Sequence, residues 1–310
     1  MLQDRILDTV KFFNLQELPV TAFEIYKYLI PSRAQLELVL DDNYELKDET
    51  TTVSMASVDT VIAELDLLAA NSLVERKNGY YCLPTKTHLI DQRLRNYTHG
   101  IIREKLISRY IPVLRFMPFV RGVALNGSQA LGQQSKESDI DLFIITDRNF
   151  LWTARTFVTF ALQILGTRRH GTKIADRFCL NHYLASPKSL DKRKNLYTAF
   201  EYAKLRPLVF NQTVLEFKKN NYVWISKFFS NIDRFNQVAD SRIKKSKIQF
   251  IFEKIFDNKF GLKLESMFET IQSRRIRLEK YIVVEKDELS FHPQSKERVL
   301  LQNFFGHGSN

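Results

Sequence analysis

The sequence predicts an α+β protein in three parts: a small helical unit closed by a hairpin, a small mixed β-sheet core flanked by helices, and a helical C-terminal part. Three observations predict it. Apolar residues recur at helical spacing over the first 86 residues and end in an Asn-Gly turn. Short apolar runs at 123–125, 140–145 and 177–185 read as strands, with one long apolar helix between the last two. After Pro207 the pattern is again mostly helical. The chain, 310 residues long, exceeds one ordinary domain, and the boundaries fall at 1–86, 87–210 and 211–310.

Each element follows in order. Ile6, Leu7, Val10 and Phe13 mark a first helix, and Thr21 to Leu29 a second that stops before Pro31. Val58, Val61, Ile62, Leu65, Leu68 and Ala69 share one face of a third. Residues 73–76 and 80–83 flank Lys77-Asn78-Gly79, whose Asn-Gly pair accepts the positive φ of a tight hairpin. This order resembles a winged helix, with the acidic stretch Asp41 to Glu49 as an insertion. The helix in the recognition position, Ser57 to Asn71, has no Lys or Arg and carries Asp59, Glu64 and Asp66. Such a face repels a phosphate backbone, so the unit is expected to contact protein and not to read DNA. Thr85 to Met117 reads as a connecting helical segment interrupted near Gly100, and Asn149 to Leu165 as an apolar helix ending at Gly166. Ile248, Ile251 and Ile255 form a later stripe. A second holds Leu264, Met267, Phe268, Ile271, Leu278 and Ile282, with Arg274 and Arg275 breaking it.

Composition narrows the classes. With 44% hydrophobic and 26% charged residues the chain is neither disordered nor fibrous. No run approaches the roughly 18 apolar residues of a membrane span, and the start lacks the basic and apolar regions of a signal peptide, so no membrane is expected. Cys82 and Cys179 build neither a disulfide framework nor a four-ligand zinc site, which points to a reducing cytoplasm. The net charge of +11 divides into −5 over residues 1–100, +2 over 101–150, +9 over 151–240 and +5 over 241–310. A polyanion is drawn to the middle and C-terminal third.

The chemistry concentrates in Arg121 to Asp147. Val123, Ala124 and Leu125 run into Asn126-Gly127-Ser128, where a helix is expected to begin through Gln129, Ala130 and Leu131. Gly127 permits a sharp turn and close approach of a bound group, and Ser128 with the freed amides offers a seat for phosphate oxygens. Asp139 and Asp141 open the next strand, on one face by alternation and about 7 Å apart along it. Two such carboxylates repel unless a cation lies between them, and hard oxygen ligands completed by substrate phosphates suit Mg²⁺.

Gly-Ser, ten residues, then Asp-Ile-Asp in an apolar strand resembles the signature of the DNA polymerase beta-like nucleotidyltransferase superfamily, over roughly residues 118–186. The resemblance implies a nucleotidyltransferase core in which Gly127 and Ser128 hold the triphosphate of an NTP donor. It also implies that Asp139 and Asp141 bind Mg²⁺ or Mn²⁺ and that a third carboxylate lies on a neighbouring strand. The next strand, Arg177 to Ala185, has no acid inside it: Asn181 stands at its middle and Asp176 just before it. Asp176 is thus the candidate third catalytic acid. Asn181 is a candidate nucleotide ligand that offers an oxygen but takes no proton.

Arg168, Arg169, His170 and Lys173 lie in the loop before this strand. Of these, Arg168 and Lys173 are candidates to clamp nucleotide phosphates, or a polyanionic acceptor. His182 is expected to face away from Asn181 and to pack. Lys192, Arg193, Lys194 and Lys204, on an expected helix, and Lys244, Lys245 and Lys247 read as solvated cations. The function implied is a metal-dependent transfer of a nucleoside monophosphate from an NTP to an acceptor that the sequence does not identify, RNA among the candidates. Two alternatives use the same residues. One is a catalytically weak NTP-binding regulator and the other a nucleic-acid-binding protein using the basic two-thirds.

Overall fold

Strand β5 (Ile140–Thr146) is apolar along nearly its whole length and is buried on both sides, as a central strand requires. In the computed structural model it lies between β4 (Val120–Leu125), antiparallel to it, and β6 (Phe178–Ala185), parallel to it. The sheet continues to β7 (Arg206–Val209) beyond β4 and to β9 (Glu288–Ser290) and β8 (Val283–Val284) beyond β6. The parallel β5–β6 pair needs a crossover, and α6 (Leu151–Ile164) supplies it, ending at Gly166 with φ +64°. The structure describes residues 1–47, 54–133, 135–188, 193–232, 246–276, 283–285, 287–291 and 294–306. Lys192, Lys244, Lys245, Leu278, Ile282 and the end of the acidic stretch lie outside them, as does the side chain of Arg275.

The N-terminal unit runs α1 (Leu2–Asn14), β1 (Val20–Thr21), α2 (Ala22–Lys27), α3 (Arg33–Val39), α4 (Val58–Ala70), β2 (Glu75–Lys77) and β3 (Tyr80–Cys82). The hairpin turns at Asn78 and Gly79, φ +52° and +78°, as that dipeptide dictates. One helix more than expected is present, α3, and β1 adds a third strand beside β3. Thr21 caps α2 in a capping box with Glu24, whose carboxylate also takes two guanidinium bonds from Arg93 of α5 (His88–Tyr110). Helix α5 runs through Gly100 without the expected interruption. That glycine is buried where a side chain at Cβ would meet the Gly132 carbonyl at 3.6 Å, and Gln129 Nε2 reaches its own carbonyl at 3.4 Å.

The two faces of the large sheet serve different cores. Ile140, Leu142 and Ile144 of β5 pack with α6. Phe143 and Ile145 face the other way, into a core shared with α1, α2, α7 (Leu196–Ala203), α8 (Asn211–Ile225) and α11 (Gln294–Phe305). The C-terminal part expected to be helical therefore also returns two strands and a helix to the earlier parts. Helix α9 (Lys247–Phe256) reverses the expected burial. Ile248, Ile251 and Ile255 are exposed, whereas Gln249 and Glu253 are buried. The irregular segment before β4 explains this: Gln249 donates to the Met117 and Val120 carbonyls, and Glu253 accepts from the Phe119 amide and Arg121.

Phe200 of α7 joins the N-terminal unit to the rest, with its ring edge-on to Phe13 (5.0 Å), Tyr28 (5.3 Å) and Phe12 (5.6 Å). Phe200→Ala is expected to cost about 3–5 kcal/mol, seen as a lower urea midpoint. A midpoint equal to wild type would show that the two parts are not joined through this ring.

Candidate active site

Asp139 precedes β5 by one residue and Asp141 lies within it; Cys179 is the partner of Asp141 in the β5–β6 register. One ligand atom from each of Asp139, Asp141 and Cys179 falls within 4.8 Å of the others. The thiol was not anticipated, although strand alternation places it two residues from Asn181 and on the same face. Asn181 donates from Nδ2 to Asp141 Oδ1 at 2.8 Å. Arg169 donates to Asp139 Oδ2 at 2.5 Å and to Cys179 Sγ at 3.5 Å. Burial, then the Asp141 and Asp139 charges, push the Cys179 thiol well above its ordinary pKa.

Gly127 stands against this group. Its φ is +64°, and a Cβ there would lie 2.3 Å from Asp141 Oδ2. Only glycine leaves that oxygen approachable. Asn126 binds the Asp141 carbonyl through its amide at 3.0 Å, which fixes the turn to β5. Ser128 opens a single 3₁₀ turn, Ser128–Leu131, over the residues where a helix is expected to begin. Gly132 in the left-handed region ends it at once. Two converging carboxylates are hard oxygen ligands of the kind that fit a divalent cation.

Asp176 does not join this group. Its Oδ1 accepts from Arg103 Nε at 2.6 Å, and the Arg103 guanidinium, fully buried, also donates to the Ser135, Lys136 and Ser138 carbonyls at 2.9–3.0 Å. One side chain of α5 thus ties down both loops that lead into β5 and β6. Nothing in the pattern around Ile101, Ile102 and Leu106 marks Arg103 for this task.

The 167–177 loop runs beside the start of β6, with Phe178 N on Thr167 O (2.9 Å) and Arg169 N on Phe178 O (3.0 Å). This backbone pairing sets Arg169 next to Cys179. Arg168 and His170 line a cleft of about 850 Å³ bounded by α6, β6 and α10 (Lys259–Ile276). Lys173 pairs through its backbone with His170 and is exposed. Arg193 and Lys194 precede α7 and Lys204 follows it, but Arg193 and Lys204 are not the solvated cations expected: Arg193 pairs with Glu288, and Lys204 is buried against Glu201; Arg274 is exposed on α10.

His182 is packed as expected, but not by alternation. The register slips between Asp141↔Cys179 and Phe143↔His182, so an extra residue bulges from β6 and Asn181 and His182 both reach the Asp141 side. The His182 ring lies 4.7 Å from Phe143, and Nε2 is 3.1 Å from Glu288.

Residues 107–182 match the family model of the nucleotidyltransferase domain, within the polymerase beta-like superfamily. The span begins near the end of α5 and ends at the β6 bulge, so it contains Gly127, Ser128, Asp139, Asp141, Cys179 and Asn181. The chain carries a nucleotidyltransferase domain there, and such a domain supports the transfer of a nucleoside monophosphate. No curated protein and no solved structure matches the chain. No helix among the described residues is long and apolar enough to cross a membrane.

Gly127→Ala is expected to displace Asp141 and weaken Mn²⁺ binding by about 10-fold or more, measured by paramagnetic resonance titration, with the far-ultraviolet circular dichroism retained. Unchanged Mn²⁺ affinity would remove the glycine from the site. A second prediction concerns Glu288. Burial alone would raise its pKa, but the His182 hydrogen bond and the Arg193 guanidinium outweigh it and lower the value to about 2 from 4.5. The stability from this lowered value is fully present above the unfolded value of 4.5 and is lost as pH falls through about 2. Glu288→Gln should therefore flatten the fall of the urea midpoint across that window; parallel curves for the two proteins would refute the assignment.

Proposed function

We propose that the protein is a metal-dependent nucleotidyltransferase that moves a nucleoside monophosphate from an NTP to an acceptor. The observation that carries this reading is the convergence of Asp139 and Asp141 beside Gly127, within the matched domain. In this reading the two carboxylates hold Mg²⁺ or Mn²⁺, which when bound neutralises phosphate charge and polarises the reacting phosphorus. Gly127 and Ser128 receive the triphosphate, Asn181 holds Asp141 in place and Lys173 adds phosphate-binding charge, while Arg168 faces the cleft beside β6.

An acceptor oxygen forms its bond to the α-phosphorus as the bond from that phosphorus to the bridging oxygen breaks. Pyrophosphate leaves with the electron pair. The acceptor proton passes to solvent water, because Asp139 and Asp141 are committed to the cation, Asn181 accepts no proton and Asp176 is bound to Arg103. The two free thiols suit a reducing cytoplasm. The N-terminal unit, winged-helix-like in element order, is proposed to contact protein: its fourth helix carries only acidic charges.

Incubation with α-labelled NTP and Mg²⁺ or Mn²⁺ should release pyrophosphate and label an acceptor from mixtures of RNA, proteins and small molecules. Asp139→Asn and Asp141→Asn should each lower the rate by about 100-fold or more. Bound NTP with neither pyrophosphate release nor label transfer would overturn the enzymatic reading.

A further inference from the structure

The cleft of about 850 Å³ lies on the far side of the carboxylate pair from Gly127 and Ser128. The sheet order decides this. Gly127 follows β4 on one side of β5, whereas the cleft meets the site through Cys179 and Asn181 of β6 on the other. A triphosphate seated at Gly127 and Ser128 therefore leaves the cleft for a second ligand. The volume lies in the range of small-molecule pockets.

The walls define that ligand's chemistry. Arg168, Arg169 and His170 of the loop before β6 line it, and no Asp or Glu is among the described residues that do so. Arg169 is the link, touching both Asp139 and the cleft. Phe160 of α6 and Ile271 of α10, 64% and 48% exposed, also face the cleft, with Phe268 and Leu180. Arg155 belongs to the floor, bonded to Gln272 and set over the Phe291 ring at 5.1 Å. A purely apolar ligand would strand the cations, and a bare polyanion would leave the aromatic wall wet. An anion joined to a flat, stackable body satisfies both, and a nucleotide is such a body.

We propose that this cleft binds the acceptor, and that the acceptor presents a nucleotide unit, with phosphate at Arg168, Arg169 and His170 and base against Phe160 and Ile271. The word acceptor rests on the transferase reading above; the binding itself does not. The unit is either a free mononucleotide or the end residue of a single strand.

The test uses the full chain in EDTA, which suppresses metal-dependent triphosphate binding. A fluorescein-labelled ten-nucleotide single-stranded RNA is titrated by anisotropy, and AMP is titrated by calorimetry and as competitor. Binding of at least one probe is expected. Arg168→Glu and Phe160→Ser should each weaken it about 10-fold or more, while Lys86→Glu in the N-terminal unit leaves it unchanged. Competition by AMP assigns a free nucleotide; RNA binding that AMP does not disturb assigns a strand end, and both support the site. Binding of neither probe overturns it. Sensitivity to Arg168→Glu without sensitivity to Phe160→Ser also overturns it, because that pattern is general electrostatic attraction. Pyrophosphate release that persists while cleft binding fails removes this proposal alone, and cleft binding without any transfer removes only the enzymatic reading.

Discussion

Two carboxylates whose oxygens come within 4.8 Å repel, and the centre of this protein is arranged around holding them there. Asp141 is fixed by the central strand of a six-stranded sheet, so its backbone cannot retreat. Its Oδ1 receives the Asn181 amide, a neutral donor that tolerates the second charge nearby. Asp139, one residue outside the strand, receives the Arg169 guanidinium. Toward Gly127 the missing Cβ lets the backbone pass close to Asp141 Oδ2, where any side chain would clash.

Position along the chain is secured by a second charge, Arg103. A buried guanidinium is costly unless its donors are satisfied. Here Asp176 and three carbonyls from 135–138 satisfy it, and those partners belong to the loops entering β5 and β6. The two strands that bear the site residues are therefore indexed to a single helix. This accounts for Asp176, which stands where a third acid was sought: its carboxylate serves the scaffold, and Cys179 occupies the register position opposite Asp141.

Much of this was legible because it is local. The Asn-Gly hairpin, the α6 crossover ending at Gly166, and the Gly127–Ser128 and Asp139–Asp141 pairs are set by neighbouring residues and by period-two alternation. What escaped depends on contacts distant in sequence. Strand β7 and the late strands β8 and β9 are two to four residues long, too short to show a period. Helix α9 misleads because its core-facing positions are polar, and their partners are the backbone of residues 117–120. The placement of His182 fails by one residue, since a bulge leaves no mark in composition.

That bulge also links the two halves of the site. Asp141 and Phe143 face the core shared with the N-terminal unit, whereas the cleft borders α6 on the opposite face. A regular β6 would confine its side chains strictly to one face or the other. Asn181 shares the Asp141 side with Cys179 by regular alternation and binds the carboxylate, and the extra residue brings His182 to the same side, where it packs on Phe143. Strand β9 pairs only with His182 through Leu184. From Phe178 to Asn181 the edge of β6 is met instead by the 167–177 loop, through Phe178, and by the Phe291 amide on the Asn181 carbonyl, and Cys179 and Asn181 there line the cleft beside the carboxylates. Glu288, on β9, clamps the other end of the bulge through His182 and Arg193. The irregularity is therefore held at both ends, as a feature that joins two surfaces must be.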